Sequence, residues 1–486
     1  MTTARGPRHA SLDGNHGLSA PQALIANRTF DQIAVGETAR LQRTLSRRDI
    51  ELFAVMSGDV NPAHVDEEYA HSDMFHKIIA HGMWGASLIS TLLGTRLPGP
   101  GTIYLEQTLR FRRPVAIEDT LTVSVTAAAK DADRKRIAFD CLAVNQHGET
   151  VIDGTANVIA PTEKISRPRI VLPDVLIQEH VLFGQLVAKA RARGPIRTAV
   201  VHPVDRDALL GALQAAQEGL IVPILIGDVD RVRAVAATHG LDISEVEMID
   251  AEHSHAAAEI AVRLAHDGFV DALMKGSLHT DELMHAAVAR PTGLNTERRM
   301  SHVFVMDVPA YPRPLFITDA SLNVEPDLDA KRDIVQNAID LALAVGVTQP
   351  KVAVLSAIET VNSRLRSSLD AAALAKMAER GQIHGGVVDG PLAFDNAVSP
   401  AAARGKGITS TVAGQADIVI VPDLESGNML AKQLDCLADS QSAGVVLGGR
   451  VPIALTSRAD TTVERVASCA LAVLVAQARS HTRPKP

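Results

Sequence analysis

Asp59 and His64 stand five positions apart across a proline turn, in the run Ser57-Gly58-Asp59-Val60-Asn61-Pro62-Ala63-His64. A carboxylate and an imidazole so spaced can hand protons to and from a bound molecule. Downstream, Ile79-Ala80-His81-Gly82-Met83 opens an apolar stretch. If that stretch is a helix, its first N–H groups lack intrahelical partners, and its positive end can hold an oxyanion. Near the C-terminus a β-branched run enters Thr456-Ser457-Arg458-Ala459-Asp460. Hydroxyls, a guanidinium and open N–H groups at a strand-to-helix turn suit a phosphate. Each cluster has a plainer reading. Asp59, Asn61 and Pro62 could simply build a capped turn, and Ser457 or Asp460 could cap the last helix. Capping has no use for Arg458.

The elements around the first cluster form one pattern. Residues 46–57 predict a helix that Ser46 can cap, with Asp49 three positions on and Ile50, Phe53, Ala54 and Ser57 on one face. Residues 82–94 predict a second helix, apolar on all sides and therefore buried. Alternating stretches at 103–111, 120–129, 136–146 and 150–159 predict antiparallel strands with one wet face. The result is an α+β unit whose sheet wraps one helix. The segment 163–173, with two prolines and four charges, reads as the core of a linker over 163–180.

Beyond the linker the rhythm changes to β-branched runs alternating with helical patterns. The runs fall at 198–202, 222–226, 271–275, 302–308, 315–319, 352–356, 386–389, 417–421, 444–447 and 452–456. This predicts a mostly parallel sheet covered on both faces, long enough for two lobes around a cleft. Ligands of such sheets sit past the strand C-termini, where Lys275, Asp319, Asp389, Asp423 and Ser457 fall. Arg404-Gly405-Lys406-Gly407 is no P-loop, because no Ser or Thr follows the lysine.

Composition narrows the partners. A net charge of -8 and only 3% aromatic residues argue against nucleic acid, which needs basic surface and stacking platforms. No run of 18 apolar residues offers a membrane span. Residues 1–22 read as a polar tail without a secretory pattern. Three scattered cysteines indicate neither a disulfide framework nor structural zinc. The expectation is a cytoplasmic protein. His253 and His255 lie near Glu252 and Glu259 but lack a third strong ligand, so no metal is expected.

Over roughly residues 28–160 the chain resembles the MaoC-like, (R)-specific enoyl-CoA hydratases. The resemblance rests on SGDVNPAHVD at 57–66, IIAHGMWGASLIS at 78–90 and LPGPGTIYLEQTLRFRRPVAIEDTLTV at 97–123. It implies a hotdog fold for 23–162. It also implies that Asp59 and His64 hold the water that adds to a trans-2-enoyl thioester, while the Gly82 N–H binds the thioester oxygen. Asn61 would help bind the substrate, and hotdog units pair, so a homo-oligomer, dimeric or larger, is expected. Arg110, Arg112 and Arg113 could be a solvated edge or a contact for the CoA phosphates.

Over roughly 180–482 the chain resembles phosphate acetyltransferases and butyryltransferases. Residues 271–309, 317–339, 387–397 and 417–433 carry this likeness. It implies a two-lobed α/β domain at 181–486 akin to isocitrate and isopropylmalate dehydrogenases. It further implies direct acyl transfer between CoA and phosphate, with Arg458 on the acyl phosphate, Ser457 at the reacting centre and an aspartate taking the thiol proton. Ser426, Gly427 and Asn428, opening a helix, would cradle another phosphate, and Lys275 would meet CoA or acyl phosphate. Two departures stand out. Asp460 follows Ser-Arg by only two positions, leaving Glu464 as the fallback base, and His285 stands where acetyltransferases often have arginine.

The combined expectation is a bifunctional enzyme that uses coenzyme A, phosphate, acyl-CoA, enoyl-CoA and acyl phosphate as substrates and keeps no resident cofactor. Two rivals remain at this stage. One is an acyltransferase whose hotdog domain only binds acyl-CoA. The other is an NAD- and metal-dependent dehydrogenase of related fold.

Overall fold

The computed structural model describes residues 24–170, Val175, residues 180–457 and 460–482, with side chains to residue 479. The expected tail at 1–22 lies outside the described residues. Two compact units divide the chain, Met1–Ile177 and Gln178–Pro486.

The first unit follows from amphipathic alternation. Strands β1 (Leu24–Ala26), β2 (Thr38–Thr44), β3 (Ile103–Phe111), β4 (Thr120–Asp131), β5 (Arg136–Val144), β6 (Thr150–Ile159) and β7 (Ser166–Pro168) are joined by helices α1 (Arg47–Ser57), α2 (Pro62–Val65), α3 (Glu67–Ser72) and α4 (Gly82–Thr95). Five strands form an antiparallel sheet in the order β2-β4-β5-β6-β3. Leu121, Val123, Val125 and Ala127 of β4 alternate into the core with Trp84, Ile89, Leu92 and Leu93 of α4, the period-2 face meeting a helical face.

Three expectations need correction here. β2 was not foreseen, because its alternating residues Thr38, Arg40, Gln42 and Thr44 are polar and its inward set is short. Helix α4 is not buried all round, since Met83, Ser87, Ser90, Thr91 and Gly94 are exposed. Part of the predicted linker is a strand. β7 pairs with β1 in the register Leu24↔Pro168 and Ala26↔Ser166, and the buried Asn27 side chain donates to Glu163 O and accepts from Ile165 N. Two prolines and four charges hid a short edge pairing that one asparagine fixes.

The second unit is one sheet of eleven strands. They are β8 (Ile196–Val201), β9 (Ile221–Gly227), β10 (Glu247–Asp250), β11 (Ala272–Lys275), β12 (Ser301–Asp307), β13 (Leu315–Thr318), β14 (Lys351–Leu355), β15 (Val387–Leu392), β16 (Ile418–Ile420), β17 (Gln441–Leu447) and β18 (Ile453–Ala454). Their order is β10-β9-β8-β11-β18-β17-β12-β13-β16-β14-β15. The outer strands pair in parallel, whereas β18–β17, β17–β12 and β12–β13 pair antiparallel, so the two parallel halves run in opposite directions. On one face a single core runs from Phe183 through Val303 and Ile418 to the C-terminal helix Thr462–Thr482. On the other face the core is split into a patch around Leu273, Val446 and Ile453 and another around Met306, Ile317 and Val419. Two lobes were expected around a cleft; the halves share a sheet and one core, and divide on one face alone.

This topology positions chemistry at the centre. One rung of the ladder reads Met274–Ala454–Val445–Val303–Thr318. Lys275, Leu455 and Asp319 each follow a residue of that rung, and His302 precedes one. Strand ends from both halves therefore meet in the middle of the sheet, the place where open sheets take ligands.

Two candidate active sites

The first site grows from helix caps. Ser46 caps α1 and accepts from Asp49 N, while the Asp49 carboxylate accepts from Ser46 N at 2.9 Å. At the far end Ser57 Oγ donates to Phe53 O at 2.7 Å and accepts from Asp59 N at 3.2 Å. Asp59 Oδ1 accepts from Asn61 N at 3.2 Å, and Asn61 Oδ1 caps α2 through Ala63 N at 3.2 Å. Asn61 was expected to bind substrate; its side-chain oxygen caps the helix that presents His64.

His64 donates through Nδ1 to Ile79 O at 2.9 Å, which leaves Nε2 as the lone-pair nitrogen of the neutral ring. His81 donates through Nε2 to Asp59 O at 2.9 Å, and its buried Nδ1 has no partner. The two rings lie 4.0 Å apart between centroids. One carboxylate oxygen of Asp59 and one nitrogen from each histidine lie within 4.8 Å of one another, close enough to share a water. Among the described residues this is the one group with the proximity to hold a metal ion. His253 caps a helix through Ala256 N at 3.0 Å and is not part of such a group.

A cavity of about 350 Å³ opens beside this triad, walled by His64, His81, Gly82, Phe111 and Ile152. His81 caps α4 without a side-chain hydrogen bond, so the helix start is not closed by its own cap. A Cβ at Gly82 would stand 3.1 Å from Phe111 Cε1, a tight contact that the ring would have to yield to, so glycine suits the close approach of that backbone to the ring. Arg112 and Arg113 also line the cavity. Arg110 and Arg112 pair with Asp153, and Arg113 with Glu149. The Arg112 hydrogen bond holds the Asp153 carboxyl below the usual carboxylate range.

The second site lies on the central strands. Lys275, His302, Phe304, Asn428, Leu455, Thr456 and Ser457 line a cavity of about 300 Å³. Lys275, only 4% exposed, donates to Thr456 O at 3.1 Å, and Thr456 Oγ1 donates back to Lys275 O at 3.2 Å. Arg465 donates to Thr456 Oγ1 at 3.1 Å and to Ser457 O at 2.9 Å, fixing the loop that carries Ser457. Asp460 Oδ2 accepts from Ser457 N at 2.7 Å. Burial pushes the Asp460 carboxyl up to about 6. Arg458 lies outside the described residues.

Glu464, the fallback base, is committed elsewhere. Its carboxylate accepts from Thr461 N at 2.7 Å and from Ser442 N at 3.0 Å, a capping box on the C-terminal helix. Ser426 and Gly427 form no phosphate cradle. Asp423 caps the helix Leu424–Leu437 and accepts from both Ser426 N and Ser426 Oγ. Gly427 is a packing glycine, since a Cβ there would meet Val421 Cγ2 at 2.7 Å. Asn428 alone of that trio reaches the cavity.

Of the other strand-end aspartates, Asp389 accepts from Ser410 Oγ. Asp319 turns on itself to accept from Ser321 N and Leu322 N. The smaller cavity shares Thr280 and Ser321 with one of about 1000 Å³ that reaches His285, Arg290 and Arg299.

Sequence reasoning missed His302 and Arg465 at this site. The signal for His302 was present, as a lone imidazole in phase with Phe304 within an apolar strand. Arg465 carries no such signal, because its helical position does not tell that it reaches back to the preceding loop.

Comparison with known proteins gives two family matches. Residues 255–473 match the family described as phosphate acetyl/butaryl transferase, and residues 31–143 match the MaoC like domain. A phosphate acetyltransferase of Rhizobium meliloti is 59% identical over 297 residues, covering 61% of this chain and 94% of that protein. A phosphate butyryltransferase of Clostridium acetobutylicum is 40% identical over 294 residues, covering 60% of this chain and 98% of that protein. Among solved structures, a branched-chain phosphotransacylase from Enterococcus faecalis V583 matches with a TM-score of 0.50 at 26% identity, covering 58% of this chain and 99% of that one.

Proposed function

The chain belongs to the phosphate acetyl/butaryl transferase family, with a MaoC-like domain ahead of it, and from that premise we propose that it carries out two reactions on acyl-CoA. The second unit transfers a short acyl group between CoA and phosphate. The observation that carries this reading is the convergence of Lys275, Asn428, Thr456 and Ser457 on one cavity at the centre of the sheet. Ser457 hydrogen-bonds the reacting group, and Lys275 with Arg458 meets the phosphoryl charge. Asp460 takes the proton of the CoA thiol. Its raised pKa makes it a stronger base than an ordinary carboxylate, while it stays ionised at neutral pH. Thiolate then attacks the acyl carbon of the acyl phosphate, the carbon–sulfur bond forms, and phosphate leaves with the electrons of the carbon–oxygen bond. The larger adjoining cavity has room for the body of CoA. Turnover of acetyl phosphate and butyryl phosphate with CoA tests this; no thioester from either substrate would defeat it.

The first unit hydrates trans-2-enoyl-CoA to the (R)-3-hydroxyacyl thioester. The supporting observation is the clustering of Asp59 and His64 beside the start of α4. His64 Nε2 and the Asp59 carboxylate hold water at the β-carbon, and a proton is delivered to the α-carbon. The Gly82 N–H steadies the thioester oxygen as it gains charge. Hydration of crotonyl-CoA by the purified chain is the test. Tight binding without turnover would leave the unit an acyl-CoA-binding module. The chain is further proposed to work as a cytoplasmic homo-oligomer, without a resident cofactor.

A further inference from the structure

Within the second cavity His302 has no task in the mechanism above. Along β12 the side chains alternate. Val303 and Val305 enter the continuous core, while His302 and Phe304 face the cavity. His302 is wholly buried, and neither ring nitrogen has a hydrogen-bond partner. Its backbone is fixed, because His302 O accepts from Thr318 Oγ1 at 2.8 Å. The ring meets Phe304 edge-on, with centroids 4.4 Å apart at 82°. On the neighbouring strand a Cβ at Gly444 would stand 2.8 Å from His302 Nε2, so glycine there leaves room for the imidazole.

A buried imidazole with two unmet nitrogens is costly, and a ligand entering the cavity it lines would supply a partner. Burial holds the ring's pKa down to about 3, so at neutral pH it offers one N–H and one lone pair. Its surroundings select among the reacting atoms. The phosphoryl group carries net negative charge and is better met by Lys275 and Lys432, which line the same cavity. The acyl carbonyl oxygen is neutral in the ground state and gains charge only as the carbon is attacked. A neutral donor set edge-on against Phe304 fits it, because it binds the transition state better than the ground state.

We propose that His302 is a catalytic residue of acyl transfer, its N–H donating to the acyl carbonyl oxygen and stabilising the oxyanion of the tetrahedral transition state. The inference rests on the transferase reading of the second unit. The histidine gives up no proton. The carbonyl π electrons move onto oxygen as the carbon–sulfur bond forms, then return as phosphate departs.

The test uses the full chain, with acetyl phosphate or butyryl phosphate and CoA. His302→Leu keeps much of the volume without the donor and should lower kcat by about a hundredfold, the scale of losing one oxyanion donor. KM for CoA and for acyl phosphate should stay within about threefold. His302→Gln, which restores an N–H donor, should regain at least about tenfold over Leu, a rescue that mere packing would not give. His302→Asn is polar but too short, and should resemble Leu; it decides the matter if Leu does not fold. The kcat of each variant should keep the wild-type fall at low pH, since His302 does not titrate there. If the folded Leu or Asn variant keeps kcat within threefold, if Gln is no better than Leu, or if only KM for acyl phosphate changes, the assignment is overturned. A wild-type chain without transferase activity would instead end the transferase reading, and this inference with it.

Discussion

Replacing Asp460 by asparagine should disable transfer while making the protein more stable. Burial raises this carboxyl from 3.8 to about 6. Because the folded pKa lies above the unfolded one, the folded state holds its proton longer. As pH rises from below 3.8 to about 6, the unfolded state ionises first and stability is lost. Above that window the penalty is constant. A gap of roughly two units, at 1.36 kcal/mol each, sets an upper bound of about 3 kcal/mol at pH 7.5. Asparagine carries no such penalty, and its side-chain oxygen can still accept from Ser457 N. Urea unfolding should therefore find Asp460→Asn more stable than the wild type at pH 7.5, by up to about 3 kcal/mol, with the difference shrinking towards pH 5. Acyl transfer should fall at least about a hundredfold, the scale of losing a general base. In the wild type, kcat should decline as pH drops through about 6, and the variant's residual rate should lack that limb. An active Asp460→Asn, or one less stable than the wild type at pH 7.5, would refute the reasoning. If Glu464→Gln is crippling while Asp460→Asn is indifferent, the base is Glu464.

Three further outcomes are expected. His64→Ala should lower crotonyl-CoA hydration at least about a hundredfold, read by loss of the enoyl absorbance. Gly82→Ala, whose new Cβ meets Phe111 at 3.1 Å, should lower hydration about tenfold or more by shifting the N–H aimed at the thioester oxygen, while thermal melting shows the fold intact. Arg458→Ala should raise KM for acyl phosphate and lower kcat, because a charge-assisted contact is lost before and during reaction; initial rates across acyl phosphate concentrations check it.

What could be read from the sequence was local. Asp59, His64 and Gly82 declared themselves because a turn, a proline and a helix start fix their relations over a few residues. Ser457 and Asp460 were visible for the same reason, as a strand running into a loop. What escaped depends on distant pairings. The central rung joins Met274, Ala454, Val445, Val303 and Thr318 from five separate strands, and no periodicity announces that order. Hence two lobes were expected where one sheet runs through, and His302 passed for one more strand residue. Ser426 misled for a different reason. A helix start with free N–H groups looks like an anion site until Asp423, three positions earlier, is seen to fill it. Asn61 repeats the lesson, as a polar residue beside the proposed catalytic pair whose side-chain oxygen is used by its own cap.

The central claim is that one chain holds two independent active sites. Each unit has its own core, Phe30 to Ala160 in the first and Phe183 to Val475 in the second. The most direct measurement is a crossed assay on the full-length protein, with hydration and acyl transfer recorded for the wild type, Asp59→Asn and Asp460→Asn. Asp59→Asn should abolish hydration and leave transfer within about twofold, and Asp460→Asn should do the reverse, as independent sites perturb each other little. Loss of both activities from either substitution, in protein that is folded and assembled, would mean a shared site and contradict the account.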